Sequence, residues 1–170
     1  MSCAESGPLI KKQRKNTPMP KVTAAKIAAF FSEKKLAVAG ASKTPQKFGH
    51  EIVKHLVSSG STVFPVNPNA DKILGLQCFK STEELPDDVD RLLIVTPKRE
   101  TDAILQQAAA RGISHIWVQP GAESPTTRRI AADLSQNVIV GKCIYMFAEP
   151  VQSIHKFHRG LVRFFGGLPK

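Results

Sequence analysis

Short apolar runs alternate with longer amphipathic stretches along most of this chain. Leu36-Ala37-Val38-Ala39 is a continuous apolar run closed by Gly40, the pattern of a strand buried on both faces. From about Gln46 to Ser59, Ile52, Val53, Leu56 and Val57 share one face at helical spacing, and Gly60 is a stop signal. Thr62-Val63-Phe64-Pro65-Val66 reads as a second strand, closed by Asn67-Pro68-Asn69, and a broken segment with Leu74, Gly75 and Phe79 follows. Leu92-Leu93-Ile94-Val95 is a strand, Glu100 to Arg111 a helix stopped by Gly112, and His115-Ile116-Trp117-Val118 a strand. Ser124 to Gln136 is then a helix and Val138-Ile139-Val140 the last strand. Ahead of them all, Thr23 is an N-cap for a helix through Ala24, Ile27, Ala28, Phe30 and Phe31. Strands alternating with helices of this length predict an α/β fold, a parallel sheet covered on both faces. The right-handed crossover rule makes it a doubly wound, Rossmann-like sheet in three αβα layers.

Composition changes this picture little. At 170 residues, 42% hydrophobic and 22% charged, the chain has the balance of one globular domain. The formal charge of +10 invites a nucleic-acid or membrane-surface reading. Its distribution argues otherwise: residues 1–35 carry +6, residues 36–141 are balanced, and residues 142–170 carry +4. We therefore expect residues 1–20 to be a disordered basic tail, with Lys11-Lys12-Gln13-Arg14-Lys15 as its polyanion-binding candidate. Residues 21–170 form one domain that includes a basic, amphipathic C-terminal segment, 145–165, apolar at 154, 157, 161, 164 and 165. That segment packs on the sheet, makes a homodimer contact, or touches a membrane or nucleic acid; the sequence does not choose between the last two. Three cysteines far apart disfavour a disulfide scaffold and fit a reducing, cytoplasmic compartment. No apolar run approaches the roughly 18 residues of a membrane span, and the N-terminus lacks a secretory h-region.

In a parallel α/β sheet, ligands bind beyond the carboxyl ends of the strands. After the first strand, Gly40 allows a tight turn, and Ser42, Lys43, Thr44 and Lys47 add donors beside a helix start whose free N–H groups suit phosphate. The loop is not the dinucleotide fingerprint, since Ser42 and Pro45 stand where glycines are needed, and it is not a P-loop. The second strand ends in Pro65-Val66-Asn67-Pro68, without the carboxylate that holds the ribose of NAD. An adenine nucleotide with phosphate, recognised without that carboxylate, is the ligand these features draw. Thr96-Pro97-Lys98-Arg99 and Gln119-Pro120-Gly121 leave the next two strands at the same edge. Lys98 and Arg99 contact an anion or simply begin a helix, and Gln119 offers both donor and acceptor.

Gly40-Ala41-Ser42 with Pro45 and Lys47, Val63-Phe64-Pro65-Val66-Asn67-Pro68, Ile73-Leu74-Gly75 with Cys78, Leu85-Pro86 with Val89-Asp90, Trp117-Val118-Gln119-Pro120-Gly121 and Cys143 resemble the small stand-alone CoA-binding proteins. Their fold is like the CoA-binding domain of the succinyl-CoA synthetase α subunit. The resemblance runs from Val38 to Cys143 and implies that Gly40, Ala41 and Ser42 wrap the pyrophosphate while Lys47 neutralises its charge. It implies further that Pro65, Val66, Asn67 and Pro68 flank adenosine, and that Thr96, Pro97, Gln119, Pro120 and Gly121 line the cleft towards pantetheine. The cofactor is then coenzyme A or an acyl-CoA. The N-terminal tail and the length of Ile144 to Lys170 depart from the family pattern.

No catalytic constellation stands out, so we expect a binding or sensor protein and not an enzyme. An NAD(P)-dependent oxidoreductase and a nucleic-acid-associated protein using its basic ends are the alternatives. His50, His55 and His115 are scattered, and His155-x-x-His158 has only Glu149 nearby, too few ligands for a metal. Neither Cys143 nor Cys78 has a local base to activate it, and Cys3 lies on the tail.

Overall fold

The computed structural model describes residues 21–148. The basic tail, Cys3, the His155–His158 pair and all but the first four residues of the 145–165 segment lie outside the described residues. The elements run in the order α1 (Ala24–Phe31), β1 (Lys35–Ala39), α2 (Phe48–Ser58), β2 (Thr62–Val66), β3 (Lys72–Ile73), β4 (Leu76–Gln77), β5 (Arg91–Ile94), α3 (Lys98–Ala110), β6 (His115–Val118), α4 (Pro125–Asp133) and β7 (Asn137–Val140). Single 3₁₀ turns occupy Thr82–Glu84 and Ile144–Met146.

Five parallel strands form one sheet in the order β2-β1-β5-β6-β7. The chain moves outward from β1 to β2, then crosses back to β5 and continues the other way. The order reverses between β1 and β5, and there the C-terminal edge opens into a crevice. Side chains alternate across the sheet with period two. Leu36, Val38, Leu93, Trp117 and Ile139 pack on one face with Ile27 and Phe30 of α1 and Ile52, Val53 and Leu56 of α2. Ala37, Ala39, Leu92, Ile94, Ile116, Val118, Val138 and Val140 pack on the other with Leu105 and Ala108 of α3 and Ala131 of α4. The doubly wound, three-layer arrangement expected from the alternation is the observed fold.

Boundaries shift by a few residues, each for a local reason. The Thr23 hydroxyl accepts from the Lys26 N–H at 3.2 Å and starts α1 where expected. Arg91, buried at the start of β5, closes its other end by donating to the Phe30 and Ala29 carbonyls (3.0 and 3.3 Å) and to the Ser32 hydroxyl (2.8 Å). Helix α2 begins at Phe48 and not Gln46, because Thr44 to Lys47 is a turn closed by the Lys47 N–H on the Thr44 carbonyl at 3.1 Å. Helix α3 starts two residues earlier than expected, directly after Pro97, and α4 stops at Asp133 because Leu134 is already extended (ψ 145°). Ser124 caps α4 reciprocally with Thr127, a capping box that also engages Asp102 of α3. The broken segment is a β3–β4 hairpin whose two-residue turn, Leu74-Gly75, takes positive φ at both positions (51° and 78°). No helix of the described residues is long and apolar enough to cross a membrane.

Candidate functional site

The crevice encloses about 1110 Å³ between the loops after β1, β2, β5 and β6, with α3 as one wall. That volume reaches the upper end of ligand pockets, roughly 300–1,000 Å³ for drug-sized molecules, and suits an elongated nucleotide. Two glycines make its floor. Gly40 takes φ 92°, and a Cβ there would stand 2.8 Å from the Thr96 nitrogen, so the ends of β1 and β5 meet at a distance no side chain permits. Gly49, in the first turn of α2, is tighter still: its Cβ would lie 2.0 Å from the Gly40 carbonyl oxygen. The start of α2 is thereby pressed onto the end of β1, and the helix N-terminus faces the crevice at close range.

Hydrogen bonds fix the loops around that floor. The Gly40 N–H donates to the Val66 carbonyl at 3.2 Å, and the Asn67 amide donates to the Ala41 carbonyl at 2.7 Å, which lashes the ends of β1 and β2 together. Asn67 also accepts from the Asn69 N–H at 2.8 Å, so the residue standing where NAD-binding sheets carry a carboxylate is engaged in shaping its own loop. The Ser42 hydroxyl accepts from the Thr44 N–H at 3.1 Å, and His50 donates from Nδ1 to the Ser42 carbonyl at 3.0 Å. His50 thus holds the loop after β1, a role its place on a helix gave no reason to suspect.

Of the residues the sequence singled out, Gly40, Ala41, Ser42, Lys47, Val66, Asn67, Pro68, Thr96, Pro97, Gln119, Pro120 and Gly121 all line this crevice. Pro65 does not. Strand alternation turns it away from the crevice, and it lies buried beside Val38, its partner in β1. Gln119 is buried and internally engaged, its carbonyl accepting from the Ile144 N–H at 3.1 Å and its amide donating to the Cys143 sulfur at 3.3 Å. Its side chain ties the turn after β7 to the crevice wall. The Thr96 hydroxyl is paired with Thr101 at 3.0 Å.

Several lining residues escaped the sequence reading: Phe48 and Gly49 from α2, Lys80 and Ser81 after β4, and the α3 wall of Ala103 and Ile104. Gly49 carried a usable signal, since glycine within a helix costs about 1 kcal/mol against alanine and usually marks a close approach. Lys80 carried none, because only the hairpin brings it to this edge. The cations on the lining are Lys47, Lys80 and Arg99, against one carboxylate, Glu100, which pairs with Arg99 at 3.3 Å.

The cysteines sit apart from this chemistry. Cys78 is buried, and that burial pushes its thiol above the ordinary range. Cys143 is half-buried behind Gln119 and does not line the crevice. His55 is buried with its ring edge-on to Tyr145 at 5.0 Å. His115, at the opposite edge of the sheet, has its pKa lowered by burial and by the nearby Arg91 guanidinium. Among the described residues no group of three His, Cys, Asp or Glu is placed to hold a metal.

Comparison with known proteins agrees with this geometry. Over 85 residues the chain is 42% identical to the ADP-forming acetate–CoA ligase II of Archaeoglobus fulgidus, a match that takes in 49% of this chain but 13% of the ligase. It is 23% identical over 111 residues to the uncharacterized protein YneT of Bacillus subtilis, covering 65% of this chain and 82% of YneT. A conserved hypothetical protein of Pyrococcus furiosus, known by its structure, superposes with a TM-score of 0.63 at 43% identity over 65% of this chain and 96% of that one. The family model described as a CoA binding domain matches residues 34–149, the whole sheet together with α2, α3 and α4. With its parallel sheet and its glycine-floored crevice at the switch point, the chain belongs to the CoA binding domain family.

Proposed function

We propose that this protein binds coenzyme A or an acyl-CoA in the crevice between β1 and β5, as a binding or sensor module with no reaction of its own. The observation that carries the reading is the Gly40–Gly49 contact, which brings the N-terminus of α2 to the crevice floor where any side chain would block it. Partial positive charge from the unpaired helix N–H groups and the Lys47 ammonium suit a pyrophosphate there. Asn67 and Pro68, without a carboxylate at the end of β2, leave room for an adenosine that is not gripped through its ribose hydroxyls. Thr96-Pro97 and Pro120-Gly121 line the same crevice and would take the pantetheine arm.

The composition of the lining supports the non-catalytic part of this reading. Among the described residues no histidine and no cysteine lines the crevice, and Glu100, its one carboxylate, is engaged with Arg99. Histidine, cysteine and paired carboxylates are the commonest acid–base and nucleophilic groups, though serine and lysine also serve.

Calorimetry on the full chain with CoA, acetyl-CoA, NADH and NADPH tests the reading. Binding of CoA or acetyl-CoA, with neither nicotinamide nucleotide competing, is the expected result. Clear NADPH binding with no heat from either CoA compound overturns it.

A further inference from the structure

Helix α1 is more apolar than its surroundings require. Among its residues, Ala24–Phe31, Lys26 alone is charged, and a helix that is hydrophobic nearly all round is normally buried nearly all round. Ile27 and Phe30 are buried against the sheet, whereas Ala24 and Ala28 are exposed and Phe31 is half-buried. Those three share a second face, at spacings of four and three. With Leu36, Leu56 and Phe147 they line a hollow of about 650 Å³ at the N-terminal edge of β1. Glu33 and Lys34, of opposite charge, stand at its rim, so the hollow does not select an anionic surface. An apolar concavity of this size marks a place where something docks.

The chain itself leads into that hollow. After β7 the turn at Ile144–Met146 redirects it, and the Ile144 carbonyl accepts from the N–H groups of both Phe147 and Ala148 at 2.9 Å. Phe147 lies against Trp117 with ring centroids 5.7 Å apart, and Ala148 is buried. The described residues therefore end in the lining of the hollow, and residues 149–170 follow from there. In that sequence Ile154, Phe157, Leu161 and Phe164 recur at helical spacing, and Lys156, Arg159 and Arg163 fall on the opposite face of the same pattern.

We propose that the hollow is the docking groove for this chain's own C-terminal segment, residues 151–164. Its apolar stripe closes over Ala24, Ala28 and Phe31, and its cations face solvent. Tethering decides the occupant. A segment that starts in the groove meets it at an effective concentration of roughly millimolar, and closing so short a loop costs little. A second copy or a separate partner would have to compete with that advantage. The inference stands apart from the CoA reading, because the groove and the crevice lie at opposite edges of the sheet.

Photocrosslinking on the full chain tests the occupant directly. The photoreactive analogue p-benzoylphenylalanine takes the place of Phe157 or, in a second protein, of Phe164, and the crosslinked peptides are mapped by mass spectrometry. Crosslinks within one chain, to Ala24–Phe31 or to residues 56–61, are the expected result. Crosslinks that join two chains give the groove to a second copy, and crosslinks that miss the groove remove the segment from it; either overturns the proposal. Adding phosphatidylglycerol vesicles should leave the crosslinks in place, and their loss would assign the stripe to a membrane surface instead. Hydrogen exchange supplies an independent measure. Phe157→Asp should speed exchange of the α1 amides about ten- to a hundredfold, the effect of losing one buried aromatic side chain, while Phe157→Leu keeps most of the protection. Unchanged α1 exchange in Phe157→Asp also overturns the docking.

Discussion

The sheet has a cavity at each end, and the two differ in kind. At the C-terminal edge is the crevice, built of glycine contacts, loop hydrogen bonds and cations. At the N-terminal edges of β1 and β2 lies a smaller hollow of about 650 Å³, lined by Ile27, Phe30 and Phe31 of α1 with Leu36, Leu56 and Phe147. Residues there mostly fill space: Phe30 stacks edge-on with Phe31 and Trp117, at centroid distances of 5.3 and 5.2 Å. Parallel strands make this asymmetry natural. Every βα loop and every following helix N-terminus meets at one edge, where donors collect, while the other edge receives helix C-termini and apolar packing. On the function proposed above, one end of the same sheet serves the ligand and the other serves stability.

The division breaks down if changes at one end affect both properties. The largest effect is expected from Phe30→Ala, which empties a nearly fully buried site and should cost about 3–5 kcal/mol of unfolding free energy in denaturant titration. Affinity for CoA, corrected for the folded fraction, should not change; a parallel loss would show that the α1 end shapes the crevice. Gly49→Ala comes next, because its Cβ would meet backbone at 2.0 Å and no flexible side chain is there to yield. We expect about 2–3 kcal/mol of destabilisation together with loss of CoA binding. Retained affinity in that variant would mean that the helix N-terminus is not the phosphate reader.

Lys47→Ala should do the reverse of Phe30→Ala. CoA affinity falls about tenfold by calorimetry, while stability stays within about 0.5 kcal/mol, as for other exposed substitutions. The smallest effect concerns pH. The folded pKa of His115, at the N-terminal edge of β6, is below its unfolded value near 6.5, so the unfolded chain binds the extra proton first. Stability is full above that value, falls as pH drops below it, and levels off once the folded ring is protonated too. Denaturation at pH 7 and pH 5 with a His115→Asn variant checks this: the variant should lose part of the acid sensitivity, and an identical pH profile would assign that sensitivity to other groups.

Much of the architecture was legible because it follows from short-range pattern. Apolar runs of four or five residues, helical spacing at Ile52, Val53 and Leu56, the Thr23 and Ser124 caps and the stops at Gly60 and Gly112 place the main elements to within a few residues. The crevice loops were legible for a related reason, since ligands of a parallel sheet gather where its strands end. The hairpin was not, because Leu74-Gly75 lacks the Asn-Gly or Asp-Gly signal of its turn. Pro65 was misplaced because side-chain direction along β2 depends on which face meets α2.

By itself, then, the amino-acid sequence determined a doubly wound sheet, the loops at its ligand edge and the absence of a ribose-binding carboxylate after β2. These depend on residues near one another in the chain. Only the tertiary structure decided that Gly49 must be glycine, that Gln119 faces inward to hold the turn after β7, and that Lys80 reaches the crevice. The reason is physical: a 2.0 Å clash, a buried amide pairing and a cation at a ligand edge each join segments brought together only by packing.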